Sequence, residues 1–219
     1  MKLTPRLRAV AELIWAAAHA DIGADHALLP RYLLISGRAQ RVVVVEKHLG
    51  PYERSRQALA GYPAEVRLGD GLSALAAGEV DSLSISGMGA LAMVAILTAH
   101  PERLPERLAL QPNDSAEPLR RWAGDSGYHL SQERLVQGYW RYSVLALTRR
   151  PGPDPAYQGL PSDPALRYGP LLLAAQDPLL LSGLKAEHAY LQALLRQHET
   201  LSLRARLATV EAALRQYNP

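Results

Sequence analysis

Cysteine is absent from all 219 residues, which excludes structural disulfides and thiolate metal sites outright. Long apolar runs are missing too. No segment approaches the roughly 20 residues of a membrane-spanning helix, and the opening MKLTPRLRAVAELI lacks a signal-peptide core. A cytoplasmic protein with no membrane partner is the expectation. The histidines show no metal-ligand spacing, so no metal is expected. Nor is there a Gly-x-Gly-x-x-Gly dinucleotide fingerprint, because Ala24 and Asp25 follow Gly23 and the next glycine is Gly37. Neither sign of charge dominates: a formal net charge of +3 suits a polyanionic partner without demanding one.

What remains is an ordinary globular composition, 48% apolar and 21% charged, long enough for one substantial domain and a smaller appendage. Thr4-Pro5 reads as an N-cap and first helical residue. Leu7, Val10, Leu13 and Ile14 form the apolar face of that helix, with Arg6 and Arg8 free to meet solvent. A short strand around His19 to Ile22 leads into a glycine loop, and a helix follows from Ala27 to Ser36. RVVVVE at 41–46 is a β-branched run suited to a strand buried on both faces. Further strands follow in AEVRLGDG, GEVDSLSISGMG and RLALQPN, alternating with helical stretches. The alternation predicts an α/β fold, a doubly wound parallel sheet. YHLSQERLVQ and YWRYSVLALTRR, separated only by Gly138, leave no room for a crossover helix and must pair antiparallel. A Rossmann-like parallel sheet finished by an antiparallel hairpin is the layout of S-adenosylmethionine-dependent methyltransferases.

Residues 1–150 are thus expected to form the cofactor-binding domain. In 151–219, five prolines between 151 and 164 suggest a linker or surface strap. Leu184, His188, Leu191, Leu195 and His198 then follow heptad spacing, as do Leu203, Leu207, Val210, Leu214 and Tyr217, with a polar break at Glu199 to Ser202. This predicts an antiparallel coiled-coil hairpin or a helical tail packed on the main domain.

Ligands in open α/β sheets bind at the carboxyl ends of the strands. Gly23 sits at the first such turn, flanked by Asp21 and Asp25. Those carboxylates would repel a pyrophosphate but suit a cofactor with ammonium and sulfonium cations, which favours S-adenosyl-L-methionine over NAD. Glu46 ends the second strand, where a carboxylate can accept from both ribose hydroxyls. Asp70 ends the third, beside Gly71, where it can accept from an adenine amino group. Each alone reads equally as a solvated strand-end acid or a turn; together they mark three successive strand tips.

DIGADHALLP, GDGL, ISGMG and LQPN together resemble the bacterial tRNA (adenine-22-N1)-methyltransferases, and the likeness extends from LTPRLRAVAELI to the C-terminal helices. The resemblance implies a class I methyltransferase domain with a coiled-coil appendage, methylating N1 of adenine 22 in tRNA. It implies cofactor contacts at Asp21, Gly23, Glu46, Asp70 and Gly71, with Gly87, Met88 and Gly89 at the reactive end. Asp25 matches the acid regarded in the family as important for catalysis. One departure is Ala90, where the family usually continues GMGG.

Adenine N1 carries a free lone pair and needs no base, but its methylated product is a cation. An acceptor near the exocyclic amine is therefore required. Asp25 is the candidate, with Asn113 holding the base edge and Gln111 and Pro112 shaping the wall. His26, opening a helix, is more often a local hydrogen-bond partner than a base. Tyr139, Trp140 and Tyr142 are candidates for stacking on an extruded base, although at strand spacing such residues more often pack a sheet. Lys2, Arg6, Arg8, Lys185, Arg196, Arg204, Arg206 and Arg215 are available for RNA phosphates, or form a solvated surface. A monomer is the expected state. The alternatives are a methyltransferase acting on another RNA, a protein or a small molecule, and a non-catalytic tRNA-binding module.

Overall fold

The computed structural model describes residues 1–198 and 200–217, and the chain divides into two compact units, Met1–Gly152 and Pro153–Pro219. The first opens with α1 (Pro5–Glu12), where the Thr4 side chain accepts from the Leu7 amide as a helix cap. There follow β1 (Ala16–Ile22), α2 (Leu28–Ile35), β2 (Ala39–Glu46), α3 (Leu49–Ala58), β3 (Ala64–Leu68), β4 (Ser82–Met88), α4 (Ala90–Ala99), β5 (Arg107–Pro112), α5 (Glu117–Asp125), β6 (Tyr128–Gln137) and β7 (Arg141–Arg149).

One seven-stranded sheet results, in the order β3-β2-β1-β4-β5-β7-β6. β1 to β5 run parallel, and β7 is antiparallel to both β5 and β6. The four valines Val42 to Val45 of β2 are buried throughout, as a strand covered by helices on both faces requires. The order reverses between β1 and β4, so the loops after β1 and β4 part from one another and leave a crevice at the carboxyl edge.

Three local expectations are corrected. α1 stops at Glu12 because Leu13 already leaves the helix, although Ile14 stays buried. Tyr139 and Trp140 lie in the hairpin turn rather than in β7, where the Gly138 amide bonds to the Trp140 carbonyl at 2.8 Å. The proline-rich stretch is not a plain strap. It carries a 3-10 turn at Pro155–Tyr157 and then α6 (Ser162–Tyr168), whose first turn tolerates Pro164 because no intrahelical donor is needed there.

The second unit continues with α7 (Pro170–Ala174), α8 (Pro178–Leu195) and α9 (Leu201–Arg215). Leu184, Leu191 and Val210 are buried. Glu187 pairs with Arg206, and the Tyr217 hydroxyl donates to the Asp177 carbonyl, so α8 and α9 run antiparallel. His198 follows α8. Glu199, in the expected polar break, lies outside the described residues.

Arg120 of α5 and Glu133 of β6 form a buried ion pair at 2.7 Å, with side chains 1% and 0% exposed. Removing one partner strands a charge, which typically costs ~3–5 kcal/mol, whereas an apolar pair of similar volume is often neutral. Arg120→Met should therefore lower the unfolding free energy in urea by about that amount, and adding Glu133→Leu should restore most of it.

Candidate functional site

Gly23 turns at φ +75°, and its amide bonds to the Val45 carbonyl at 2.9 Å. A Cβ on it would collide with the Met88 methyl, which is the flexible end of a side chain, so it is the left-handed turn itself that asks for glycine here. Asp25 and Ala27 both follow at φ 51°, a conformation uncommon outside glycine that the surroundings must hold. Glu46 holds it: its Oε1 accepts from the Asp25 amide at 2.6 Å and from the Ser55 hydroxyl at 3.4 Å. Ser55 also donates to the Asp25 carbonyl at 3.2 Å.

Two clefts open along the carboxyl edge. The larger, about 610 Å3, is lined by Ile22, Gly23, Glu46, Lys47, Asp70, Gly71 and Leu72, with the small residues of α4 opposite. The smaller, about 300 Å3, is lined by Arg6, Asp21, Gly23, Asp25, His26, Gly87 and Met88. Gly23 and Met88 belong to both and form the wall between them.

The acids at these clefts differ sharply in burial. Asp21 is 2% exposed and Glu46 4%. Burial pushes the Asp21 carboxyl up to about 7, against a 2.6 Å bond from the Ser84 hydroxyl, and the Glu46 charge adds to the rise. Burial likewise raises Glu46, partly offset by the Asp25 amide and Ser55. Asp70 and Asp25 are exposed and ion-paired, the first with Lys47 at 2.8 Å and the second with Arg54 at 2.5 Å. His26 lies 3.5 Å from Asp25.

Arg6 does not point to solvent as the helical pattern suggested. It reaches from α1 to donate to Gln111 Oε1 and, at 3.5 Å, to Asn113 Oδ1. Its guanidinium also stands 5.7 Å from the Tyr142 ring. Asn113 is fixed between β4 and β5, its amide bonding to the Met88 carbonyl at 2.8 Å and its side chain to the Gly87 carbonyl. Gln111 is fully buried and bonds the Pro112 carbonyl. Arg8 is exposed and lines neither cleft. Tyr139 and Trp140 stand 87% and 64% exposed at the hairpin tip. Ala90 is the first residue of α4, its amide capped by Asp114 Oδ1 at 2.8 Å. Alanine suits that helical position better than glycine.

Sequence reasoning missed Lys47, Arg54, Ser55, His19 and Ser84. Only the last had a signal: Ser82, Ser84 and Ser86 alternate in SLSISGM, placing polar groups at period two on one strand face. Among the described residues, no cluster of metal-ligating side chains occurs and no helix is long and apolar enough to cross a membrane.

The strand order, the antiparallel β7 and the acid-tipped strands β1 to β3 define a class, the Rossmann-like class I methyltransferases. Comparison gives the family. The family model described as tRNA (adenine(22)-N(1))-methyltransferase matches residues 19–218, and the chain belongs to that family. It is 32% identical over 204 residues to the tRNA (adenine(22)-N(1))-methyltransferase of Bacillus subtilis strain 168, covering 90% of this chain and 86% of the relative. The crystal structure of the B. subtilis m1A22 tRNA methyltransferase TrmK superposes with a TM-score of 0.84 at 29% identity, over 99% of this chain and 97% of that one. Streptococcus pneumoniae Sp1610, solved in complex with S-adenosyl-L-methionine, gives a TM-score of 0.84 at 26% identity, over 97% of this chain and 100% of that one.

The raised Asp21 carboxyl has a measurable effect on stability. In the folded protein it keeps its proton up to about pH 7, whereas the ordinary value is 3.8. Unfolding thus releases a proton between those limits, and native stability falls as pH rises through them, by on the order of 4 kcal/mol in total. His19 acts in the opposite sense. Burial, with Arg107 adding to it, holds its pKa down to about 3 against 6.5, so its contribution is lost as pH falls below 6.5. Asp21→Asn isolates the first effect. The variant should melt at higher temperature than the parent, with a gain larger at pH 8 than at pH 5 in differential scanning calorimetry.

Proposed function

We propose that the protein transfers a methyl group from S-adenosyl-L-methionine to N1 of adenine 22 in tRNA. The observation that supports this reading best is the pair of buried carboxylates, Asp21 and Glu46, on adjacent strand tips beside the two clefts. A ligand bearing cations and ribose hydroxyls is what favours their ionised forms. When bound, the cofactor supplies a methyl group on a cationic sulfur. Asp21 receives its ammonium, Glu46 accepts from the ribose hydroxyls, and Asp70 with Gly71 takes the adenine edge. Gly23, Gly87, Met88 and Gly89 border the reactive end.

The target adenine then belongs in the smaller cleft, which the donor's ammonium end also enters at Asp21. Its N1 lone pair attacks without deprotonation, so the protein's work is alignment and stabilisation of the cation that develops. Asp25 accepts from the exocyclic amine, with His26 and Arg54 fixing its carboxylate. Asn113, exposed beside Arg6 though outside the lining of that cleft, reaches for the base edge, and the buried Gln111 and Pro112 back Arg6 rather than touch the base. The exposed Tyr139 and Trp140, with Tyr142 behind them, offer stacking surfaces for unpaired bases, and Arg8 is placed for a phosphate. Residues 1–150 act as the methyltransferase domain, and the helices of 151–219 meet the tRNA. One chain supplies every residue of the site, so a monomer suffices, and a tRNA substrate implies a cytoplasmic site of action.

Incubation with unmodified tRNA transcripts should produce a reverse-transcription arrest at position 22 that disappears when the adenine is replaced by guanine. Methyl label appearing in protein or small molecules but not RNA would overturn the substrate assignment. Asp25→Ala should slow transfer by roughly 10²–10³-fold, the scale of one lost preorganised electrostatic group. Its affinity for S-adenosylhomocysteine should stay within a few-fold by calorimetry.

A further inference from the structure

We propose that His19 is a positioning residue for methyl transfer: acting through Ser84, it orients the Asp21 carboxylate and favours its anionic form when the cofactor's ammonium group binds. This rests on the reading of Asp21 given above. His19 is fully buried, lines neither cleft and takes no part in the chemistry just described. The register explains its place. β1 and β4 run parallel with His19 beside Ser82 and Asp21 beside Ser84, so the period-two alternation puts all four side chains on one face. There they form an unbroken chain. His19 Nδ1 lies 2.7 Å from Ser82 Oγ, its Nε2 lies 2.9 Å from Ser84 Oγ, and Ser84 donates to Asp21 Oδ1 at 2.6 Å.

The direction of the chain follows from donor counting. An ionised Asp21 only accepts, so Ser84 commits its single proton there. Ser84 Oγ must then accept from His19, which places the imidazole proton on Nε2 and leaves Nδ1 to accept from Ser82. All three bonds point their dipoles toward the carboxylate, and in a dry interior such chains reinforce one another. Neutral imidazole is the form this requires, and its burial supplies that form. Glu46, on the neighbouring strand, works against the Asp21 charge. The chain from β4 is therefore the contact that offsets it.

Two ligands separate positioning from packing. S-Adenosylhomocysteine carries the ammonium, whereas 5′-methylthioadenosine keeps the nucleoside and thioether but has no amino-acid tail. In titration calorimetry, Ser84→Ala and His19→Leu should each weaken S-adenosylhomocysteine roughly tenfold, the scale of a hydrogen bond to a charged group. 5′-Methylthioadenosine should change by less than twofold. His19→Gln, whose amide can again donate to Ser84, should recover most of the loss. Ser84→Ala removes only a hydroxyl and decides the matter if His19→Leu fails to fold. Equal weakening of both ligands, or of neither, would overturn the proposal while leaving the methyl-donor reading intact. A parent protein that binds neither ligand would remove that reading, and this proposal with it.

Discussion

Two carboxylates buried side by side at the tips of β1 and β2 set the terms for the rest of the domain. Asp21 and Glu46 are each almost out of contact with water, burial raises the proton affinity of both, and the Glu46 charge adds to the rise at Asp21. A fold tolerates such a pair only by supplying donors. Here they come from Ser84 on β4, from the Asp25 amide and from Ser55 on α3. The same bonds shape the site, because the Asp25 amide lies in a loop whose backbone turns left-handed at Gly23, Asp25 and Ala27. Glu46 therefore restrains a strained turn while facing the larger cleft. Stability surrendered at such a place is the common signature of a site selected for binding.

The strand order converts these local facts into a working geometry. Because β4 leaves β1 on the side opposite β2, the wall between the two clefts is only Gly23 against Met88. A donor on one side and an acceptor on the other would come into contact only once the flexible Met88 side chain moved aside. In-line transfer needs such proximity, with reacting atoms within about 3–3.5 Å of one another. Arg6 braces the smaller cleft from α1 by bonding Gln111 and Asn113 at the end of β5. The first helix thus contributes to the floor of the site rather than to a solvent face.

What was legible in the sequence is what depends on local pattern. The valine run of β2, the glycine turns, the Thr4-Pro5 helix start and the tight β6–β7 connection all follow from side-chain period and backbone chemistry, as does the acid at each strand tip. The misreadings share a different cause. Arg6 lies on a helix whose periodicity marks it as outward, and only the sheet's position relative to α1 brings Gln111 within reach. Tyr139 and Trp140 read as strand because aromatic residues favour strands, yet the Gly138 turn needs them as its loop. His19 sits in a small-residue strand with no local sign of a partner. Its partners are Ser82 and Ser84, more than 60 residues away in sequence, and only the β1–β4 register joins them. Lys47 and Arg54 escaped notice for the same reason.

Burial also sorts the four acids by the permanence of the groups that hold them. Asp21 and Glu46 are fixed by buried donors that no ligand needs to displace. Asp25 and Asp70 have side chains 58% and 66% exposed and are held by Arg54 and Lys47. Ion pairs at that exposure are worth little, about 0–1 kcal/mol, so an incoming base or nucleoside can take over either carboxylate at small cost. A methyl transfer to a neutral ring nitrogen asks for this division. The donor's charges are present from the start and suit carboxylates already shaped and dry. The acceptor's positive charge appears only during reaction and suits a carboxylate that can turn toward it. On the proposed reading, the groups that fix Asp21 would govern how tightly the donor is held, and those that release Asp25 would govern how fast the methyl moves.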